Sequence, residues 1–149
     1  MSNLNGSIAV VPTVLYSDAN AGIAWLTSVL GFREHMVFRS EDGVVEHAEL
    51  LFGDAGMVML GTAGRNPETA QWNALPRELG GKSTGGVYLI VPDCTPVWER
   101  VQSAGTEVLM SLRTMDYGGQ AFTVRDMDGH IWSLGEYSPW TVPQTVPAA

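Results

Sequence analysis

The sequence predicts a single α+β domain built from two copies of a βαβββ module. The same order of strand-like and helix-like apolar patterns occurs twice, at a spacing of roughly 70 residues. The length of 149 residues suits one domain, and 45% apolar with 16% charged residues suits a compact core. We place module 1 at about 8–61, a connecting loop at 62–85, module 2 at about 86–137 and an extended tail at 138–149.

Module 1 begins with a β-rich run from Ile8 to Tyr16. Asp18 then provides a helix-capping side chain, apolar residues recur at helical spacing over Ala19 to Leu30, and Gly31 supplies a helix end. Glycine-containing turns separate three further strand candidates. These candidates are Glu34 to Ser40, Val45 to Phe52 and Met57 to Gly61.

Module 2 repeats this order. Val87 to Val91 is predicted as a strand, Asp93 lies at the cap of the following helix, Pro96 lies near the helix start and Gly105 near its end. Three strand candidates follow, the last two joined by the turn Asp126 to Gly129. They are Glu107 to Leu112, Gln120 to Val124 and His130 to Tyr137.

Composition restricts the partners that we expect. Sixteen acidic and eight basic residues give a formal net charge of -8, which disfavours nucleic acid and anionic membrane surfaces and favours a small-molecule ligand. The single cysteine, Cys94, excludes an intrachain disulfide and is expected to be buried in a reducing, cytoplasmic protein. The apolar run at Ile8 to Tyr16 is short and broken by Pro12, so we expect neither a signal peptide nor a membrane span.

Together with the paired modules, two segments carry a family resemblance: DANAGIAWLTSVLGF (18–32) and RDMDGHIWSLGEY (125–137). They resemble the vicinal oxygen chelate superfamily, which contains glyoxalases, bleomycin resistance proteins and dioxygenases. The segment EHAELLFGDAGMVML (46–60) is most similar to the PhnB-like branch. The resemblance implies a cup-shaped mixed sheet with helices outside, a ligand in the cup and a homodimer.

The resemblance also implies where a metal would bind. Metal-dependent members carry His, Gln or Glu at inward positions on the first and last strand of each module. By the family's spacing, these positions correspond here to Val11, Leu60, Gly86 and Ser133, which lack such side chains. The resemblance therefore implies no cofactor, with a divalent metal at an atypical site as the alternative.

Histidines do not supply a replacement site in the sequence. His35, His47 and His130 fall on different strand candidates, without the paired spacing of metal-binding histidines. Strand alternation places His47 and Glu49 on the face opposite the helix, where they form either a polar anchor, a general acid and base pair, or a plain surface pair.

Other candidate ligand-binding residues follow from alternation and from loop position. Tyr88, Thr123 and Ser133 are expected to face the cup and to offer hydroxyl groups, unless they are ordinary core or filler residues. Trp72 lies in the connecting loop, where an indole can close over a planar ligand. Three other tryptophans, Trp25, Trp98 and Trp132, are expected in the core. Trp140 is expected either to pack against the protein or to form a dimer contact.

The sequence thus predicts a metal-independent protein that binds a small, aromatic or antibiotic-like ligand in the cup. The first alternative is a lyase, isomerase or dioxygenase of the same fold, with an atypical metal site or with His47 and Glu49 in proton transfer. The second is a homodimeric accessory domain without a ligand, whose own side chains would fill the cup.

Overall fold

A computed structural model describes residues 8–141 of the chain. It contains two successive βαβββ modules, which confirms the predicted α+β fold and the predicted order of elements. Module 1 consists of β1 (Thr13–Tyr16), α1 (Ala19–Trp25), β2 (Arg33–Arg39), β3 (Val45–Phe52) and β4 (Gly56–Thr62). Module 2 consists of β5 (Val87–Ile90), α2 (Thr95–Ser103), β6 (Glu107–Thr114), β7 (Gln120–Arg125) and β8 (Ile131–Gly135).

Each module forms one four-stranded mixed sheet. The strand order is β1-β4-β3-β2 in sheet 1, formed by module 1, and β5-β8-β7-β6 in sheet 2, formed by module 2. Within residues 8–141, the pairs β1·β4 and β5·β8 are parallel and the other strand pairs are antiparallel. The connecting loop adds two short 3₁₀ turns, Thr69–Gln71 and Pro76–Leu79. The two sheets therefore repeat one topology, as the sequence repeat predicts.

Several element ends differ from the predicted bounds. Strand β1 starts at Thr13 and not at Ile8, because Pro12 lacks an N–H and only its carbonyl bonds to β4. Helix α1 ends at Trp25 and continues as a π-helical turn, Leu26–Leu30, before Gly31 adopts a φ of 92°. The tail beyond Thr141 lies outside the described residues.

The helix-covered faces of both sheets share one hydrophobic core. Trp132 of β8 is fully buried, and its ring centroid lies 6.4 Å from that of Trp25 and 5.9 Å from that of Phe32, both in module 1. Trp98 also packs against this core, so the predicted core role of the three tryptophans is confirmed. In each sheet, the residues of the opposite face point away from this core, and we call that face the cup face.

Two buried carboxylates tie the modules together. Asp126 accepts hydrogen bonds from the Tyr16 hydroxyl at 2.7 Å and from the Trp132 indole at 2.9 Å. Asp128, 1% exposed, accepts from the backbone N–H of Ser17 at 2.7 Å. Burial, followed by the charge of Asp126, raises the pKa of Tyr16, so this phenol stays protonated as a hydrogen-bond donor.

Within residues 8–141, no helix is both long enough and apolar enough to cross a membrane.

Candidate functional site

On sheet 1, the cup face carries the His47 and Glu49 pair of β3. Their neighbours Ala48 and Leu50 are fully buried against the core, which confirms the predicted division of this strand into two faces. The Nε2 atom of His47 lies 3.1 Å from a carboxylate oxygen of Glu49, and both side chains remain partly exposed. The pair is therefore preformed and open to a ligand.

A cavity of about 320 Å³ opens beside His47. The first residues of the connecting loop form its outer wall, which places hydrogen-bonding groups opposite apolar strand residues. Its walls include Thr13, Leu15, His47, Met59 and Gly61 from the strands and Arg65, Asn66 and Thr69 from the loop.

On sheet 2, the cup face carries the three other candidate ligand-binding residues that lie on strands. The hydroxyls of Thr123 and Ser133 lie 2.8 Å apart and bond to each other, and Tyr88 pairs in register with Ser133. The Tyr88 hydroxyl donates to the carbonyl of Tyr137 at 2.9 Å. Tyr88 therefore offers a ring face to a ligand. Its hydroxyl, predicted to bind the ligand, instead donates its hydrogen bond to Tyr137.

Trp72 follows the 3₁₀ turn Thr69–Gln71 and is 66% exposed. Its stacking on a ligand stays a prediction. Trp140 is 85% exposed and lines a cavity of about 630 Å³ between the β3–β4 turn and β5, so it lies at the surface and not in the core.

The six predicted site residues do not form one cluster within the chain. His47 and Glu49 lie on the cup face of sheet 1, the residues Tyr88, Thr123 and Ser133 lie on that of sheet 2, and Trp72 lies in the loop. His47 and Tyr88 also line different cavities, of about 320 Å³ and about 450 Å³.

One of the positions compared with family metal ligands needs correction. Leu60 is 3% exposed and pairs with Ala48 on the helix-covered face, so it cannot face the cup. The cup-facing residues of β4 at this level are Met59 and Gly61. The prediction placed this position by counting residues forward from the turn at Gly56 and was off by one residue. Because neighbouring side chains of a strand point to opposite faces, this difference places Leu60 on the wrong face.

The donor set of the described residues does not fit a metal cage. Among residues 8–141, no three His, Cys, Asp or Glu side chains converge in a group that could hold a metal ion. His47 has one carboxylate neighbour, whereas His130 bonds through Nε2 to the carbonyl of Leu15 at 2.7 Å and packs edge-on against Tyr16. The histidines are therefore separate, and neither forms part of a cluster of metal-binding side chains among these residues.

Sequence reasoning missed a group of aromatic residues at the end of sheet 2. Tyr88, Tyr117, Tyr137 and Pro139 surround an open cavity of about 450 Å³. The ring centroids of Tyr117 and Tyr137 are 5.2 Å apart at an interplanar angle of 72°. The sequence near this cavity showed one local sign of it, Tyr117 before the glycine pair of the β6–β7 turn. The other lining residues come from distant parts of the chain, so the sequence pattern did not bring them together.

Comparison with known proteins identifies the family. Residues 9–134 match the model of the Glyoxalase/Bleomycin resistance protein/Dioxygenase superfamily, and the chain belongs to that superfamily. A search of curated proteins finds no matching sequence.

Solved structures share the fold. TioX from Micromonospora sp. ML1 is 25% identical, with a TM-score of 0.67 over 89% of this chain and 100% of that one. A superfamily member from Sphaerobacter thermophilus DSM 20745 is 23% identical, with a TM-score of 0.61 over 87% of this chain and 98% of that one. The fosfomycin resistance protein FosX from Listeria monocytogenes, solved with Mn(II) and sulfate, is 12% identical. Its TM-score is 0.63 over 89% of this chain and 92% of that one.

Proposed function

We propose that this protein is a metal-independent binding protein of the PhnB-like branch, which holds a small, planar or aromatic, antibiotic-like molecule in its cup. The observation that carries the proposal is the chemistry of the cup-facing positions on the first and last strand of each sheet. They present hydroxyl, apolar and glycine residues in place of imidazoles and carboxylates: Thr13, Leu15, Met59 and Gly61 in sheet 1, and Tyr88, Ser133 and Gly135 in sheet 2.

A second copy of the chain completes the cup in this proposal. On sheet 1, Met36 and Phe38 of β2 are 42% and 60% exposed, and on sheet 2, Tyr88 and Ile90 of β5 are 41% and 37% exposed. Burying these apolar cup-face residues against a second copy of the chain is favourable. Module 1 of one copy facing module 2 of its partner would place His47 and Glu49 opposite Tyr88.

Charge selects among ligands. A net charge of -8 favours a cationic or neutral molecule over an anion such as fosfomycin. The pair His47 and Glu49 would anchor a polar edge of the ligand, and Trp72 would cover its planar face. The single, buried Cys94 fits a cytoplasmic home for this activity.

One observation supports an enzymatic alternative. The 3.1 Å contact between His47 and Glu49 suits proton transfer at a partly exposed site, as in a lyase or isomerase. No third residue within 8–141 orients the pair through a hydrogen bond to His47. The accessory-domain alternative is less well supported, since the cavity of about 320 Å³ beside His47 is open and not filled by side chains.

Metal analysis and ligand titration test the proposal together. Protein purified without chelator is analysed for metals and titrated with Ni, Zn, Mn and Fe ions by calorimetry. We expect no stoichiometric metal and no tight uptake, and binding of metal-free bleomycin or another planar aromatic antibiotic with tryptophan quenching that weakens in Trp72→Ala. Stoichiometric metal, or tight uptake of any of these ions, would make a metalloenzyme the better interpretation.

A further inference from the structure

The tyrosine pocket, which we define as Tyr88, Tyr117, Tyr137 and Pro139, has walls made mostly of aromatic ring surface. Its cavity of about 450 Å³ is large enough for a small organic group and opens to solvent. Tyr88 is 41% exposed and Tyr117 is 56% exposed, so both rings are accessible to a ligand and are not buried in the core. Three rings around one open cavity are a feature of sites that bind alkylated ammonium groups.

The ring of Tyr88 is held in place from two sides. Its hydroxyl donates to the Tyr137 carbonyl at 2.9 Å, and the ring crosses the sheet directly above Gly135. A Cβ atom at Gly135 would lie only 2.2 Å from the Tyr88 hydroxyl oxygen, so this glycine provides the space for the ring. A pre-positioned ring loses little entropy when a ligand binds to its face.

A carboxylate lies behind the pocket. Glu136, between Gly135 and Tyr137 in the chain, accepts from the backbone N–H groups of Cys94 at 2.9 Å and Gln120 at 3.0 Å. Within residues 8–141, no Lys, Arg or His forms an ion pair with it. Its negative charge therefore adds to the negative potential of the tyrosine faces.

We infer that the tyrosine pocket binds the cationic group of a ligand, an alkylated ammonium, through the faces of Tyr88, Tyr117 and Tyr137. The inference deepens the proposed function, on which it rests for the location of the ligand at the cup face of sheet 2. A ring of tyrosines attracts a soft, weakly hydrated cation and gains little from an anion. The ligand would thus be an aromatic molecule that carries an alkylated amine.

NMR of selectively labelled tyrosine tests this inference on the full chain. The protein has four tyrosines, and the fourth, Tyr16, is fully buried on the opposite side of the sheets and serves as an internal reference. Choline chloride is titrated beside its neutral isostere 3,3-dimethyl-1-butanol, with sodium chloride as the ionic-strength control. We expect choline to shift the signals of Tyr88, Tyr117 and Tyr137 but not that of Tyr16, and to bind about fivefold or more tightly than the neutral isostere.

Matched variants locate the binding. Tyr117→Leu keeps an apolar side chain but removes the ring, and should abolish the preference for choline, whereas Tyr117→Phe should retain it. Equal binding of choline and the neutral alcohol, no binding of choline, or a preference for choline that survives Tyr117→Leu would each overturn the inference. These outcomes do not depend on metal content or on quenching by aromatic antibiotics, so a failure here is distinct from a failure of the proposed function.

Discussion

The hydroxyl of Tyr16 in β1 lies 2.7 Å from a carboxylate oxygen of Asp126, 110 residues further along the chain. Both residues are buried, at 0% and 6% exposure. This contact, together with the hydrogen bonds that Ser17 donates to Asp128, joins the start of module 1 to the last turn of module 2. The modules therefore share polar contacts as well as an apolar core.

Removing this hydroxyl should weaken the contact between the modules. We expect Tyr16→Phe to lower the free energy of unfolding by about 1–3 kcal/mol, because a buried carboxylate loses one of its donors. Urea unfolding measures the change. Tyr117→Phe, at an exposed ring, is the control and should stay within about 0.5 kcal/mol of wild type. Equal stability of the Tyr16 and Tyr117 variants would contradict the predicted role of the hydrogen bond.

Replacing Gly22 in α1 with alanine should destabilise the protein, although alanine is more favourable than glycine in a helix by about 1 kcal/mol. A Cβ atom at this position would lie 2.8 Å from two ring atoms of Tyr16, which is fully buried and held by Asp126. Overpacking of this kind costs about 1–3 kcal/mol, so we expect Gly22→Ala to be less stable than wild type. Urea unfolding checks the sign, and an increase in stability would show that Tyr16 can move. The exposed Ala24→Gly serves as the comparison for helix propensity alone.

Stability should fall at alkaline pH. Burial, then the charges of Glu136 and Asp93, raises the pKa of the Cys94 thiol from 9.0 to about 11. A group whose pKa is raised on folding contributes stability that is complete below the unfolded value and is lost as pH rises through the folded value. We therefore expect urea midpoints to be constant below about pH 8 and to fall between about pH 9 and pH 11.

Cys94→Ala separates the contribution of the thiol from that of the tyrosines. The variant should show a smaller decline over this pH range, with the remainder due to Tyr16 and Tyr88, whose pKa values are also raised. Within native protein at neutral pH, the buried thiol should react with a disulfide reagent only as fast as the chain unfolds. Rapid stoichiometric labelling of native protein would contradict the burial of Cys94.

Complementation between variants should reveal how the cups are assembled. Glu49→Gln alters only module 1 and Tyr88→Ala alters only module 2, and we expect each to weaken binding of the aromatic ligand. In a dimer with cups shared between chains, mixing and exchanging the two variants creates one unaltered cup per mixed dimer. Ligand titration should then recover a fraction of wild-type sites. No recovery, with exchange of subunits verified by mass spectrometry, would assign each cup to a single chain.

Most local features were predictable because they depend on neighbours in the chain. Alternation correctly separated Ala48 and Leu50 from His47 and Glu49, and Asp18 accepts from the N–H of Ala21 as its capping role predicts. The prediction for Leu60 was wrong because it counted residues from a turn. A one-residue difference reverses the face of a strand.

The sequence by itself thus determined the order of the ten helices and strands described here, the repeat and the family. Only the tertiary structure decided that residues of both modules share one core and that His47 and Tyr88 line different cavities. It also assigned the Tyr88 hydroxyl to Tyr137 and the Asp126 carboxylate to Tyr16. The physical reason is that periodicity reports which face of an element is apolar, whereas hydrogen bonds between distant residues depend on how two separately patterned modules pack.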